Sequence, residues 1–190
     1  MGLSQNTEYN LEALRLKGLN HRATISEMEH HAIERAIEWF RFKSYTAEEM
    51  FTEEFVKFVH KKMYGGVWKT AGSFRQSEQP KGSRWSNIAI QLRGLNSDTL
   101  ENFHSNTYPS SELAVRYMHG LSAICCFENG NGVHARLMAD LIVTKLFAEP
   151  PLSWGRLQAE HPENLRREFR ACLEAADCND YEPLVRFSRS

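Results

Sequence analysis

Apolar residues recur at intervals of three or four along most of the chain, which is the spacing of helices that bury one face. Capping-box patterns that begin at Ser26 and Thr46 predict two helix starts, and Gly65-Gly66 predicts the end of the second helix. Pro162 predicts a later start, and Pro150-Pro151 predicts a stop. The predicted buried positions are Ile33, Ile37, Phe40, Phe51, Phe55, Val59, Met63, Ile88, Leu92, Leu95, Leu113, Tyr117, Leu121, Ile124, Leu137, Leu141, Leu165, Phe169, Leu173 and Ala176. This pattern predicts an all-α domain.

The stretch from 67 to 85 breaks the helical pattern, because it mixes β-forming residues with Gly72, Pro80 and Gly82. Such a composition predicts a short β-hairpin or an ordered loop. The chain is therefore expected to form one domain over residues 1–190. Its predicted parts are N-terminal helices at about 10–63, the irregular stretch at about 66–85, a helix-turn-helix at about 110–147 and C-terminal helices at about 162–188.

Composition and charge narrow the function classes. The chain has 190 residues, a formal net charge of -1, 42% apolar and 25% charged residues, as is ordinary for a globular protein. The near-neutral balance argues against direct nucleic-acid binding, which usually needs a basic excess. No uncharged apolar run approaches the roughly 18 residues of a membrane span, and the N-terminus lacks the features of a signal peptide. We therefore expect a cytoplasmic protein without a membrane partner.

The four cysteines fit no structural framework. Cys125 and Cys126 are adjacent, and Cys172 and Cys178 follow at a spacing typical of neither disulfide scaffolds nor zinc sites. A reducing compartment is the simpler location for such a chain. The adjacent pair matters more, because it directly precedes the most informative segment.

That segment is a glycine turn between two predicted helices. Gly130 and Gly132 permit positive φ and a close approach of ligand to backbone. Successive amides in such a turn can bind an anion, and the following helix directs its N-terminal amides to the same place. Arg136, on the first turn of that helix, can add a bidentate phosphate contact. The pattern predicts a phosphate-binding cradle.

Two other interpretations of the turn remain open at this point. The glycines can serve only the geometry of a helix-turn-helix connection, with Arg136 in solvent. The run Gly130–Ala135 also matches the dinucleotide-binding pattern G-x-G-x-x-A. That interpretation requires alternating strands and helices, whereas the flanks of this turn both predict helix.

The segment from Cys125 to Arg136 resembles the signature of Fic-domain proteins, His-x-Phe-x-Asp/Glu-Gly-Asn-Gly-Arg-x-x-Arg. Asn129 and the run His134–Leu141 are similar to the bacterial branch called mobile mystery protein B. Val67–Arg75 resembles the Fic flap hairpin, and the tail over 175–184 resembles the end of that branch. The resemblance extends from about residue 25 to the end. It implies a Fic-type helical bundle with a small β-hairpin flap.

The resemblance also implies an activity, namely transfer of AMP from ATP or a related donor to a hydroxyl group of a target protein. A histidine acts as general base in that family, and Cys125 stands at its position. The flap docks the main chain of the target like an added strand. The residues implied for that docking are Gly72, Ser73, Phe74 and Arg75. The candidates for nucleotide and phosphate contact are Asn129, Gly130, Asn131, Gly132, His134 and Arg136.

Three departures from the signature affect this chemistry. At Cys125, a free thiol with a pKa near 8.5 is a poor base near pH 7, unless the positive end of the nearby helix lowers that pKa. Val133 replaces the first arginine, which removes a charge-assisted contact of about 1.5–3 kcal/mol. Asn129 replaces the acidic residue, so it can offer Mg²⁺ only a neutral carbonyl oxygen that does not offset the charge of the metal.

These departures leave three hypotheses. The protein is an active or altered AMP-transferring enzyme, a non-catalytic protein that binds a nucleotide or a partner, or a transferase with Cys125 as covalent nucleophile. The expected ligand is ATP or another nucleotide. The expected partners are a target protein at the flap and, by analogy, an antitoxin-like regulator.

Overall fold

A computed structural model describes residues 11–15, 21–156 and 162–190. Of the N-terminal helical region predicted at about 10–63, residue 10 and residues 16–20 lie outside the described ranges. Over the described residues the chain forms eight α-helices. They are α1 (Arg22–Arg41), α2 (Ala47–Met50), α3 (Glu53–Tyr64), α4 (Ile88–His104), α5 (Ser110–Ile124), α6 (Asn131–Leu146), α7 (Pro162–Asp177) and α8 (Glu182–Arg189). The fold is all-α, as predicted.

The centre of the core is the pair α5 and α6, which pack along each other and hold the glycine turn between them. α4 and α8 pack on α5, α3 packs on α6 and α1, and α7 packs on α8. Tyr117 and Met118 of α5 and Met138 and Ile142 of α6 are fully buried. Each such side chain contributes about 1.5–3 kcal/mol through burial, so the two helices hold the turn on a rigid base.

The helix starts in the N-terminal half differ from the sequence pattern. α1 begins at Arg22, so the capping box predicted at Ser26 lies inside the helix. The box at Thr46 is present, but it opens only the four-residue α2, and Thr52 caps α3 separately. Ile37 was predicted to be buried, but it is 46% exposed, because the buried face of α1 includes Ala36 and Phe40 and leaves Ile37 at its edge. The same buried face also includes Glu29. The Glu29 carboxylate accepts a hydrogen bond from the Trp68 indole at 2.7 Å, which makes its burial possible.

The β-hairpin predicted near 66–85 is not formed. Among the described residues the structure contains no β-strand, and one isolated antiparallel bridge pairs Leu14 with Trp68. We refer to residues 72–83 as the flap. Its backbone amides at Arg75 and Ser83 donate to the carbonyls of Cys126 (3.0 Å) and Ile124 (3.1 Å). The backbone amides of the two legs therefore bond at the end of α5 instead of across the flap.

None of the described helices is long and apolar enough to cross a membrane.

Candidate functional site

The glycine turn joins the C-terminus of α5 to the N-terminus of α6. Cys125 ends α5 in the left-handed region, with φ 55° and ψ 64°. Gly130 precedes α6 with φ 75°, and a Cβ there would lie 2.5 Å from the Tyr64 ring, so glycine is required. A Cβ at Gly132 would meet no atom of the described residues within 4 Å beyond its own helix and neighbours. The α6 N-terminus is therefore open at Gly132.

Asn131 fixes the shape of the turn. The Phe127 amide donates to Asn131 Oδ1 at 2.8 Å, and Asn131 Nδ2 donates to the Phe127 carbonyl at 2.6 Å. Both polar atoms of this side chain are committed within the turn. The contribution of the Asn131 side chain that the structure shows is to the conformation of the cradle, and its contact with phosphate stays a prediction.

His60 on α3 belongs to the site, although it lies in no motif. Its Nε2 donates to the Asn129 carbonyl at 3.0 Å, and its Nδ1 accepts from the Gly72 amide at 3.0 Å. The ring stacks on Phe127 at 3.7 Å between centroids. Burial lowers the pKa of His60 to about 4, so the neutral ring supports both bonds. A polar residue on the buried face of α3, beside Val56 and Met63, is the only sequence signal for this role.

His134 does not contact the open side of the turn. It is 2% exposed, and its Nε2 donates to the Val56 carbonyl at 3.0 Å. Burial lowers its pKa to about 3, with a further contribution from nearby His60. The prediction of a phosphate or base contact is corrected, because the helix turns this imidazole into the core.

Cys125 is held as a protonated thiol. Its Sγ donates to Gln79 Oε1 at 3.1 Å, and burial raises the pKa of the thiol despite the opposing effect of Arg75. The positive end of the following helix does not lower this pKa below its usual value, because burial is the largest effect on the thiol. Cys125 itself ends α5, where the helix dipole also disfavours a thiolate. The raised pKa disfavours Cys125 as base and as nucleophile. Burial also raises the pKa of Cys126 to about 12.

Arg75 is buried and clamps the flap to the turn. Its side chain is 1% exposed, and Nε donates to the Cys125 carbonyl at 2.7 Å. Nη1 donates to the Ser77 carbonyl at 2.7 Å, and Nη2 donates to the carbonyls of Ser83 and Ile124. A cation at these positions also offsets the negative end of α5. Arg75 therefore holds the protein together at this place and is not available to a target.

The other predicted docking residues are also tied to the core, except one. The Gly72 amide is bonded to His60, and its φ is 81°. Phe74 is half-buried, with the Lys57 ammonium 4.1 Å above its ring and the Phe127 ring centroid at 5.8 Å. Ser73 is exposed. The flap as folded offers a target little of the predicted docking surface.

Arg136 lies one turn into α6, with its guanidinium carbon 5.4 Å above the Phe169 ring. Its Nε is buried and has no hydrogen-bond partner among the described residues. Burial lowers its pKa, and nearby Arg156 acts in the same direction. An arginine keeps its charge in proteins, so this orphaned donor fits an anion. Asp140 lies near enough to favour the charged guanidinium, but its Oδ1 accepts from Leu152 (3.2 Å) and Trp154 (3.0 Å), and among the described residues no hydrogen bond joins it to Arg136 Nε.

The donor set at the turn fits a divalent cation poorly. Asn129 uses its backbone carbonyl for His60, and its side chain supplies one neutral oxygen. The neighbouring Glu128 carboxylate accepts from Ser77 Oγ at 3.2 and 3.4 Å. No group of three histidine, cysteine, aspartate or glutamate side chains suited to a metal occurs among the described residues. The protein alone does not assemble the carboxylate-rich set that Mg²⁺ prefers.

Comparison with known proteins gives a family. The Fic/DOC family model matches residues 50–143, from the end of α2 into α6, including the glycine turn. No curated protein sequence matches the chain. The structural matches also contain Fic-domain proteins.

Three solved structures illustrate the likeness. BepC, a VirB-translocated effector of Bartonella tribocorum solved with bound AMPPNP, superposes with a TM-score of 0.72 at 15% identity, covering 98% of this chain and 93% of BepC. A Fic domain of Bartonella quintana with bound ADP gives 0.69 at 16% identity over 91% and 86% of the two chains. The fragment of C. elegans Fic-1 that covers residues 134–508 gives a TM-score of 0.67 at 23% identity over 92% of this chain. This chain spans half the length of that fragment.

Proposed function

Because this chain belongs to the Fic/DOC family, we propose that it binds a nucleotide through its phosphates at the N-terminus of α6 and has lost adenylyl transfer. The observation that carries this proposal is the state of Cys125. At the position where the family has a general base, the chain has a protonated thiol that donates to Gln79. On this proposal the chain keeps the glycine turn that binds phosphate and lacks a side chain that can accept the proton of a target hydroxyl.

The phosphate side rests on three features of the first two turns of α6. The amides in the first turn of α6 have no preceding helical carbonyls to accept them. The N-cap residue is Gly130, and among the described residues no side chain makes a capping hydrogen bond there. The helix dipole favours a negative charge there. Arg136 adds a cation whose buried Nε has no hydrogen-bond partner in the part of the chain that the structure describes. The AMPPNP in BepC and the ADP in the Bartonella quintana domain support a nucleotide as the anion.

The acceptor side argues against transfer. A target hydroxyl attacks a phosphorus atom only when a neighbouring group takes its proton. The raised pKa of the Cys125 thiol leaves it protonated near pH 7 and makes it a donor. The same raised pKa also opposes the covalent alternative, which needs a thiolate. We accordingly propose a binding protein in the cytoplasm, with a regulatory protein as its partner, rather than a transferase.

Calorimetric titration with ATP tests the phosphate side. Wild-type protein is expected to bind ATP, and Arg136→Ala is expected to bind roughly tenfold more weakly or worse, because it loses a charge-assisted hydrogen bond. The matched control is Arg93→Ala, which removes an exposed arginine of α4 and should leave binding unchanged. Absence of binding by wild type would overturn the proposal.

Mass spectrometry after incubation with ATP and a cell lysate tests the acceptor side. No nucleotidyl adduct on any protein is expected with wild type, and an adduct on a target hydroxyl would contradict the loss of transfer. An adduct on Cys125 that hydroxylamine removes would establish the covalent route instead. The double variant Cys125→His, Val133→Arg restores the family residues and shows whether these two positions alone silence the fold.

A further inference from the structure

Gln79 makes one hydrogen bond to Cys125, which stands at the acceptor position, and a second to Glu128, three residues further along the turn. Its Oε1 accepts the Cys125 thiol at 3.1 Å, and its Nε2 donates to the Glu128 carbonyl at 3.1 Å. The side chain thus spans the beginning of the turn and satisfies one polar atom at each end. A side-chain amide held at both ends is a specific contact, because each group it meets has the complementary polarity.

The flap is anchored on both sides of Gln79. On one side, the Arg75 clamp holds the Cys125 and Ile124 carbonyls, and the Arg75 amide holds that of Cys126. On the other side, the Ser83 amide holds the Ile124 carbonyl. Gln79 therefore lies in the flap between two segments that are hydrogen-bonded to the end of α5.

Gly82 lets the C-terminal part of the flap lie directly against Cys125. Its φ is 108°, and a Cβ at this position would lie 2.6 Å from Cys125 Cβ and 3.1 Å from the Ile124 carbonyl oxygen. Only glycine permits such a close approach. Cys125 is accordingly covered by Gly82 and by Gln79.

From this geometry we propose that the flap is an internal plug, in which Gln79 occupies the place beside Cys125 that the hydroxyl of a target protein would need. The inference rests on the proposed function, since it takes position 125 as the acceptor side of the site. The plug closes that side and leaves the open N-terminus of α6 uncovered at Gly132. A nucleotide can then bind while a protein acceptor is excluded, and release of Gln79 is the step that would admit an acceptor.

Accessibility of the Cys125 thiol tests the plug without any need for nucleotide. The protein of residues 1–190 with Cys178→Ser, which removes the exposed thiol, is treated with N-ethylmaleimide and followed by peptide mass spectrometry. Labelling of Cys125 is expected to be slow, and Gln79→Ala should accelerate it by about tenfold, because two hydrogen bonds of the closed state are lost. The matched control, Gln76→Ala, removes an exposed glutamine of the same segment and should leave the rate unchanged.

A second readout separates opening of the flap from a change in thiol acidity. Gln79→Ala should also speed hydrogen exchange of the Ser83 amide, which a lower pKa of Cys125 would leave unaltered. Equal labelling rates of Cys125 in wild type and Gln79→Ala, or unchanged exchange at Ser83, would overturn the plug. These outcomes do not depend on ATP binding, so failure of the calorimetric test would remove the proposed function and leave this result distinct.

Discussion

The two ends of one short turn differ in what they leave available. At the α6 end, Gly132 is exposed and Arg136 Nε is without a partner among the described residues. At the α5 end, the thiol of Cys125 and the carbonyls from Ile124 to Cys126 are all bonded to the flap. The chain therefore keeps unsatisfied donors on the phosphate end and satisfies the polar groups of the acceptor end internally.

The difference shows that the backbone path of the turn and the chemistry at position 125 depend on different residues. The backbone path of the turn is maintained by His60, Asn131 and Gly130, none of which is a proton-transfer group in the proposed chemistry. Under the proposed function, a cysteine at position 125 is compatible with all of these contacts, because none of them uses the side chain of Cys125. The following changes are expected to separate the two ends further.

Replacing the clamp should have the largest effect. Arg75→Met leaves up to four backbone carbonyls without their charged donor, so we expect a loss of about 3–5 kcal/mol in unfolding free energy. Urea denaturation measures this value. The control, Arg84→Met, removes an exposed arginine next to the flap and should change stability by less than about 0.5 kcal/mol. A similar small value for Arg75→Met would show that the flap contributes little to the fold.

Adding one methyl group to the turn should rank second. Gly130→Ala forces a Cβ at 2.5 Å from the Tyr64 ring and a positive φ, at a cost of about 2–4 kcal/mol. Gly132→Ala is the matched control, because it lies in open space on the helix and should be neutral or stabilising by up to about 1 kcal/mol. Urea midpoints that fall equally in both variants would contradict the assigned roles.

Acidification should weaken the support beneath both ends. The pKa values of His60 and His134 lie at about 4 and about 3 in the folded protein, below the unfolded value of 6.5. The unfolded chain then binds more protons, so stability is complete above pH 6.5 and is lost as the pH falls. Between pH 7 and pH 6 the two histidines should cost about 1.4 kcal/mol.

Part of this loss is offset by Asp140, whose pKa burial raises to about 6, so that the folded state gains about 0.3 kcal/mol as it binds a proton over the same interval. Urea denaturation at both pH values measures the net change. His60→Gln removes one titrating group and should halve the histidine contribution. An unchanged pH dependence in this variant would exclude His60 as a source.

The smallest effect is expected at the exposed edge of the flap. Ser77→Ala removes only the long contacts of its hydroxyl to Glu128, at 3.2 and 3.4 Å, and should alter stability by less than about 0.5 kcal/mol. Cys125 labelling should also remain slow in this variant. Rapid labelling would mean that Glu128, rather than Gln79, holds the plug.

Sequence periodicity predicted the helices well because burial alone decides them. The stripes of α4, α5 and α6 lie on buried faces, and Pro162 begins α7 as expected. The position of the glycine turn and the need for glycine at 130 were likewise predictable, since a local backbone conformation depends on local residues.

The site was less predictable because its side chains choose among distant partners. His134 and Arg75 have the charge types that suggest ligand binding, and both are consumed by backbone carbonyls far away in sequence. Gln79 belongs to no recognisable sequence motif, and its contacts depend on how the flap packs against the end of α5. Absence of the hairpin follows from the same cause, since the amides of Arg75 and Ser83 bond to α5 rather than across the flap.

The imidazole of His60 also provides a spectroscopic probe. Its Nδ1 accepts from Gly72, and its Nε2 donates to Asn129, so the ring is locked as one neutral tautomer. The Nε2 proton is buried and should persist as a single resolved resonance in a nitrogen–proton NMR correlation spectrum. A ligand at the glycine turn and a movement of the flap act on that resonance through opposite nitrogens of one ring. One signal can thus report the occupancy of the turn and the position of the flap.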